Sequence, residues 1–443
     1  MTGRGLIVAA PVSGSGKTLV TAGLLRHLRR SGFRVAAAKA GPDFVDPTFH
    51  SAASGAPCVN LDPWAMRPAT LAGLVGELEA VSDIVLCEGV MGLFDGTGAD
   101  GETGSTAELA RLAGWPVVLV VDARGQGASV AALLRGFAGH RCDVQVAGVI
   151  FNRVAGERHR TLLAGAVARH LPDLAILGAL PADPALALPS RHLGLVPAGE
   201  LAAAEAVIER AADRIGACVD IDRLLGLALL SRLAAEPAAA GIPPLGPHVA
   251  VACDDAFRFA YPTLLDGWRR RAAELSFFSP LADEPPPAAA AAVYLPGGYP
   301  ELWAGRLAAA HRFMAGLRRA AADGKPVYGE CGGYMVLGDG LIDAEGGRHS
   351  MAGLLPLETS FAERRLHLGY RCAALLDDSP LGLRGSSFRG HEFHYATVVR
   401  DGGAEPLWSV ADAANADLGR CGARRGSVFG SFIHLVDNAG PAG

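Results

Sequence analysis

A cysteine at a glycine-flanked turn and a lysine-threonine pair closing a glycine-rich loop are where this sequence could do covalent and phosphate chemistry. Pro326-Val327-Tyr328-Gly329-Glu330-Cys331-Gly332-Gly333-Tyr334 reads as a short strand, a tight turn and an apolar helix start, with Cys331 in a G-x-C-x-G frame. Small flanking residues allow a strained turn that exposes a nucleophile, and backbone N–H groups there can receive an oxyanion. A helix N-terminus lowers a thiol pKa, and the thiolate is the attacking species. The other cysteines lack this frame and read as small core hydrophobes. Tyr294-Leu295-Pro296-Gly297-Gly298 follows another apolar run, so Gly298 and Gly332 are candidate oxyanion donors, although Pro-Gly-Gly also forms a plain turn. A base must come from elsewhere. His434, in the apolar run Ser427 to Leu435, is the candidate, with His367, His391 and His394 as rivals.

The second centre lies at the opposite end of the chain. Leu6 to Ala10 is followed by Pro11-Val12-Ser13-Gly14-Ser15-Gly16-Lys17-Thr18 and an apolar helical stretch from Leu19 to Leu28. That is the strand, loop and helix context of a P-loop, with Pro11 where the first glycine of the usual pattern stands. Backbone N–H groups of Gly14, Ser15 and Gly16 can turn toward phosphate oxygens, Lys17 adds a point charge, and Thr18 offers a hydroxyl to Mg²⁺. The chain has three lysines, at 17, 39 and 325, so Lys17 and Lys39 stand out against its arginine bias. Asp43 and Glu88 follow the second and third apolar runs and supply the hard oxygens that Mg²⁺ prefers. Asp46 and Asp95 are further acidic candidates, although Gly-Pro-Asp and Phe-Asp-Gly also favour turns. Asn152 could read an adenine edge with its paired donor and acceptor.

These residues need strands to present them. Leu6 to Ala10, Val35 to Ala38, Ile84 to Cys87, Val117 to Val121 and Val146 to Phe151 read as buried strands alternating with helices, which predicts a mostly parallel sheet with ligands at its strand C-termini. The tract AAEPAAAGIPPLGP, residues 234–247, breaks the pattern and reads as a linker between residues 1–233 and 248–443. A second α/β set follows, with strands at His248 to Cys253, Ala292 to Leu295 and Val327 to Gly329 and a helix over Glu301 to Ala321. The 443 residues give ample length for two cores. Net charge −5 offers no footprint for nucleic acid, and no run of ~18 uncharged apolar residues suggests a membrane span. Eight scattered cysteines without a C-x-x-C pair, and no visible export signal, point to a reducing cytoplasm.

With APVSGSGKT, KAGPDFVDPTFH, CEGVMGLFDG, RHLGLV, YLPGGYPE, YGECGGYMVLG, GHEFHY and SFIHL, the chain resembles the cobyrinic and hydrogenobyrinic acid a,c-diamide synthases of cobalamin biosynthesis along almost its full length. The resemblance implies a dethiobiotin-synthetase-like ATPase domain followed by a class I glutamine amidotransferase domain. It implies Cys331 as nucleophile, His434 as its activator, and Mg²⁺ with ATP at Lys17, Thr18, Asp43 and Glu88. It also implies L-glutamine and a corrinoid carboxylate as substrates; the carboxylates of such a substrate make Arg191 a candidate contact, and Asp46 and Asp95 are placed with it as candidate substrate residues. Class I amidotransferases normally carry a glutamate two residues beyond the histidine, where this chain has Val436, so a Cys-His dyad is expected, with Glu392 and Asp437 as candidate orienters. Two rivals share these features: a cobyric acid synthase amidating other side chains, and a partition-type ATPase switch with an inactive glutaminase-like domain. The diamide-type motifs weigh against the first, and the intact elbow against the second.

Overall fold

Five short runs rich in valine, isoleucine, leucine and alanine form the centre of the first sheet because both of its faces are covered by helices. The computed structural model describes residues 3–186, 190–191, 194–195, 203–233 and 241–439, without the side chains of 190–195. It divides into two units, one of residues 1–64 and 68–239, the other of 65–67 and 240–443.

In the first unit, β1 (Arg4–Ala9), β2 (Val35–Ala40), β3 (Val59–Leu61), β4 (Ile84–Glu88), β5 (Val117–Asp122), β6 (Val146–Val154) and β7 (Ala175–Pro181) form a parallel sheet in the order β3-β2-β4-β1-β5-β6-β7. Leu6, Val8, Leu86, Val118, Val120 and Ile150 are fully buried, each worth about 1.5–3 kcal/mol against exposure. Helix α1 (Lys17–Arg30) starts where Gly16 takes a left-handed φ of 94° and packs Val20, Leu24 and Leu28 inward at helical spacing. Helix α2 (Asp46–Ser54) has proline in its first turn and ends at a left-handed Gly55. The order switches at β1 and β4, so the loops after β1, β2 and β4 open at one sheet edge, where doubly wound sheets take ligands.

The second unit also has a largely parallel sheet. Its strands are β8 (His248–Ala252), β9 (Glu274–Phe278), β10 (Ala292–Leu295), β11 (Val327–Glu330), and later in the chain Ala423–Arg425 and Val428–Ser431. Their order runs β9, β8, β10, β11, Val428–Ser431, Ala423–Arg425, antiparallel only at the last pair. The chain between them builds a five-stranded antiparallel sheet that includes β12 (His367–Leu375) and β13 (Ser387–His394), closed by β14 (His434–Asn438).

One expectation changes. The helix read over Glu301 to Ala321 is a 3₁₀ turn, Pro300–Trp303, then two helices, Ala304–Ala309 and His311–Ala322. Ala310 breaks it with ψ 74°, and the carboxylate of Asp283 caps the second helix by accepting the Phe313 N–H at 2.9 Å, a partner distant in sequence. The apolar run Ser427 to Leu435 leaves the parallel sheet at Ser431 and enters the antiparallel one at His434. Among the described residues no helix is long and apolar enough to cross a membrane.

Candidate functional site

In the first unit, the loop after β1 carries left-handed Gly14 and Gly16 and is pinned by Ser15, whose hydroxyl donates to the Val12 carbonyl at 2.8 Å. Thr18 Oγ1 donates to Glu88 Oε1 at 2.8 Å, joining the start of α1 to the end of β4. Lys17 Nζ donates to the Met91 carbonyl at 2.6 Å. Burial lowers its pKa, with Glu88, Asp46 and Asp95 pulling the other way.

Glu88 is 1% exposed and gathers the surrounding groups. Lys39 is its register neighbour on β2, and both Lys39 Nζ, at 3.3 Å, and His50 Nε2 from α2, at 2.6 Å, meet Oε2, the oxygen Thr18 leaves free. Burial alone would push this carboxyl up, but Lys39 and the His50 hydrogen bond hold it at about 2. Burial likewise acts against the Lys39 ammonium, and Asp46 (2.8 Å), Glu88 and Asp43 together raise it above the usual lysine range.

Asp43 Oδ1 accepts the Val45 N–H at 2.6 Å in a turn, and burial, then the charge of Asp46, pushes its carboxyl up to about 7. Asp95 accepts the Gly92 N–H at 2.9 Å. Asn152 donates to the Ser15 carbonyl at 2.9 Å and accepts the N–H of its own neighbour Arg153 at 3.0 Å, so its amide ties the end of β6 to the loop after β1. Arg191 lies outside the described side chains. No three His, Cys, Asp or Glu residues converge as a closed metal cage among the described residues. Thr18 and Glu88 instead pair two hard oxygens, a donor set that suits a Mg²⁺ ion completing its shell with phosphate and water.

The second unit holds the cysteine. Cys331 sits between β11 and the helix Gly332–Leu337 with φ 45° and ψ −105°, a conformation that costs a non-glycine residue about 1–3 kcal/mol. The turn closes only because Gly333 lacks a Cβ, which would lie 2.0 Å from the Leu295 carbonyl oxygen of β10. Gly298 and Gly332 adjoin each other: the Gly298 nitrogen lies 3.0 Å from where a Gly332 Cβ would stand.

His434 opens β14 directly opposite His391 of β13, and their rings stack at 5.0 Å. Tyr261 shares a 2.7 Å hydrogen bond with His391 Nε2. The position a Cβ would take on Gly297 lies 3.2 Å from His434 Nε2 and 3.3 Å from Cys331 Cβ, so imidazole and cysteine flank one point. The expected lowering of the Cys331 thiol by its helix N-terminus is overturned. Burial, followed by the charge of Glu301, pushes the thiol up and outweighs the Gly332 N–H, because Cys331 is only 3% exposed. Burial, followed by His391 and His394, holds His434 well below the usual histidine range. At neutral pH the pair is therefore a thiol facing a neutral imidazole.

The candidate orienters are engaged elsewhere. Glu392 pairs with Arg371 at 2.6 Å and His394 at 3.5 Å, and Asp437 takes Arg67 at 2.9 Å. The carboxylate on His434 is Glu330, whose Oε2 lies 3.8 Å from Nδ1. Sequence reading passed over it and over His50. An acidic residue ending the apolar run Val327-Tyr328-Gly329 signals the first, and histidine four residues after Asp46 on one helix face signals the second.

A P-loop sheet and a cysteine-elbow sheet in one chain are the two parts expected of a glutamine-dependent amidotransferase. Family models agree: residues 6–196 match the CobQ/CobB/MinD/ParA nucleotide binding domain and residues 248–441 the CobB/CobQ-like glutamine amidotransferase domain. The hydrogenobyrinate a,c-diamide synthase of Brucella anthropi is 55% identical over 99% of both chains. That of Rhizobium meliloti is 54% identical over 98% of this chain and 99% of its own, and that of Mesorhizobium japonicum 50% over 99% and 100%. The chain belongs to the hydrogenobyrinate a,c-diamide synthase family and is a glutamine-dependent amidotransferase ligase.

Proposed function

We propose that this enzyme converts the a and c carboxylates of hydrogenobyrinate to primary amides, consuming one ATP and one glutamine for each. The observation that carries the reading is the flanking of one point by Cys331 Cβ and His434 Nε2, at 3.3 and 3.2 Å, beside a left-handed cysteine elbow. His434 Nε2 takes the Cys331 proton as the sulfur attacks the glutamine side-chain carbonyl carbon. The tetrahedral oxyanion is received by the Gly298 and Gly332 N–H groups. Its collapse breaks the carbon–nitrogen bond, returns the proton from His434 to the departing nitrogen, and leaves a thioester that water cleaves to glutamate. Because both partners start neutral, proton transfer accompanies attack and no standing thiolate is needed.

In the first unit, an oxygen of the corrinoid carboxylate attacks the γ-phosphorus of ATP and ADP leaves, giving an acyl phosphate that ammonia converts to amide and phosphate. Gly14, Ser15, Gly16 and Lys17 hold the phosphates, while Asp46 and Asp95, acidic residues of the same unit, and Arg191 are assigned to the corrinoid. Thr18 and Glu88, together with Asp43, would hold Mg²⁺, which would neutralise phosphate charge. The low Glu88 pKa supports this role, since the carboxylate stays ionised at any working pH.

Mass spectrometry of hydrogenobyrinic and cobyrinic acids incubated with enzyme, ATP, Mg²⁺ and glutamine tests the reading. Two amides gained on hydrogenobyrinic acid are expected from wild type, and none from Cys331→Ser unless ammonium chloride is added. Amidation at other side chains, or glutamine-dependent synthesis by Cys331→Ser, would refute it.

A further inference from the structure

Glu330 is buried, 2% exposed, and sits one residue before the nucleophile on β11. Tyr328 shares its strand face and donates its hydroxyl to Oε1 at 2.9 Å. Tyr294, in register with Tyr328 on β10 and stacked on it at 5.8 Å, donates to Oε2 at 2.8 Å. The backbone N–H of Leu435, next to His434 on β14, donates to Oε1 at 3.3 Å. Oε2 faces His434 Nδ1 at 3.8 Å, on the opposite side of the ring from Nε2. A purely structural carboxyl would need none of this convergence, because two tyrosine rings could pack against an apolar residue without desolvating an acid. Among the described residues, His434 is the one basic group among Glu330's hydrogen-bond and ion-pair partners.

We infer that Glu330 is the positioning carboxylate of the glutaminase site, fixing the His434 ring through Nδ1 and stabilising the imidazolium formed when Nε2 takes the Cys331 proton. It occupies the role left open by Val436, from the nucleophile's strand instead of the histidine's. The inference rests on the proposed roles of Cys331 and His434. The geometry explains how a buried histidine with no standing charge becomes a competent base: the acceptor for its second N–H is already held by two hydroxyls and a backbone N–H. The titratable groups around the carboxylate are Tyr328 on its own strand, Tyr294 on β10, His434 on β14 with His391 and Tyr261 behind it, and Cys331 itself. Burial pushes the Glu330 carboxyl up to about 7, against the pull of the two hydroxyls, so it ionises across the neutral range.

The test compares Glu330→Gln, Glu330→Asp and Cys331→Ser in the full chain, measuring glutamine hydrolysis and ammonia-supported amide synthesis. For Glu330→Gln the glutaminase kcat should fall on the order of 10²-fold with KM within about threefold, while ammonia-supported synthesis stays within about twofold. The wild-type rise of glutaminase activity with pH near 7 should disappear in this variant, and Glu330→Asp should recover part of kcat. A Glu330→Gln enzyme within about threefold of wild type overturns the inference, as does an equal loss of both activities. If Glu330→Gln does not fold, Tyr328→Phe, which keeps the carboxylate but removes one donor, should move the pH limb upward; an unmoved limb overturns the inference. Undiminished glutamine hydrolysis by Cys331→Ser would instead mark failure of the underlying glutaminase reading.

Discussion

One methyl group on Gly297 should disconnect glutamine hydrolysis from synthesis. A Cβ there would stand 2.3 Å from His434 Cε1, 3.2 Å from Nε2 and 3.3 Å from Cys331 Cβ. Carbon pairs settle at about 3.5–4.0 Å, so the imidazole must retreat by ~1.2 Å or more. Behind it stand the His391 ring, stacked at 5.0 Å, and the Glu330 carboxylate, so the movement distorts a packed site. Gly297 does not have a positive φ, so alanine adds no backbone strain and the cost is overpacking, about 1–3 kcal/mol. Against a typical stability of about 5–15 kcal/mol, the variant should fold. A misplacement of about 1 Å costs catalysis on the order of 10²-fold, so Gly297→Ala should lose that much glutaminase kcat. Ammonia-supported amide synthesis should remain within about twofold, because nothing in the first unit changes. Paired assays with glutamine and with ammonium chloride, plus a thermal melt, read all three quantities. A folded variant that hydrolyses glutamine at the wild-type rate would show that the space between Cys331 and His434 is not where chemistry occurs.

Lys39→Met should destabilise the first unit by about 3–5 kcal/mol, because it leaves Glu88 and Asp46 without the ammonium they share; urea unfolding measures it, and an unchanged midpoint would refute it. Glu88 is held at about 2 in the folded chain, below its unfolded value. Wild type should therefore keep this contribution of about 3 kcal/mol above pH ~4.5 and lose it as pH falls toward 2. The Lys39→Met variant should show a flatter acid limb. Glu330 has the opposite sign: its folded value of about 7 lies above the unfolded one, so about 3 kcal/mol of stability present below pH ~4.5 is lost as pH rises through 7. Glu330→Gln should abolish that slope in pH-dependent unfolding. Glu88→Gln should cut amide synthesis on the order of 10²-fold or more while leaving glutamine hydrolysis intact, and equal losses in both assays would refute the division of labour.

Local spacing made much of this protein legible. G-S-G-K-T between an apolar run and a helix supplies the left-handed glycines that the loop uses, and the glycines around Cys331 are required by close approaches that a side chain would block. Valine-rich and alanine-rich runs specified buried parallel strands for the same reason, since burial on both faces leaves no polar alternation. Contacts made by residues far apart in sequence were not legible. The helix over Glu301 to Ala321 breaks at Ala310 where Asp283 caps its second half, and no nearby residue announces that partner. In the sequence His434 stands near the end of an apolar run, yet it begins a strand, and pairing with β13 is what stacks it on His391. Glu330 carries no signal in the sequence beyond standing next to Cys331 at the end of an apolar run; Tyr294, Tyr328 and the first residues of β14 close around it only in the fold. Residue types and short spacings therefore determined which chemistry the chain carries, because loop geometry is set within a few residues. Which carboxylate serves which base was decided by strand pairing and desolvation, which exist only once the sheets have assembled.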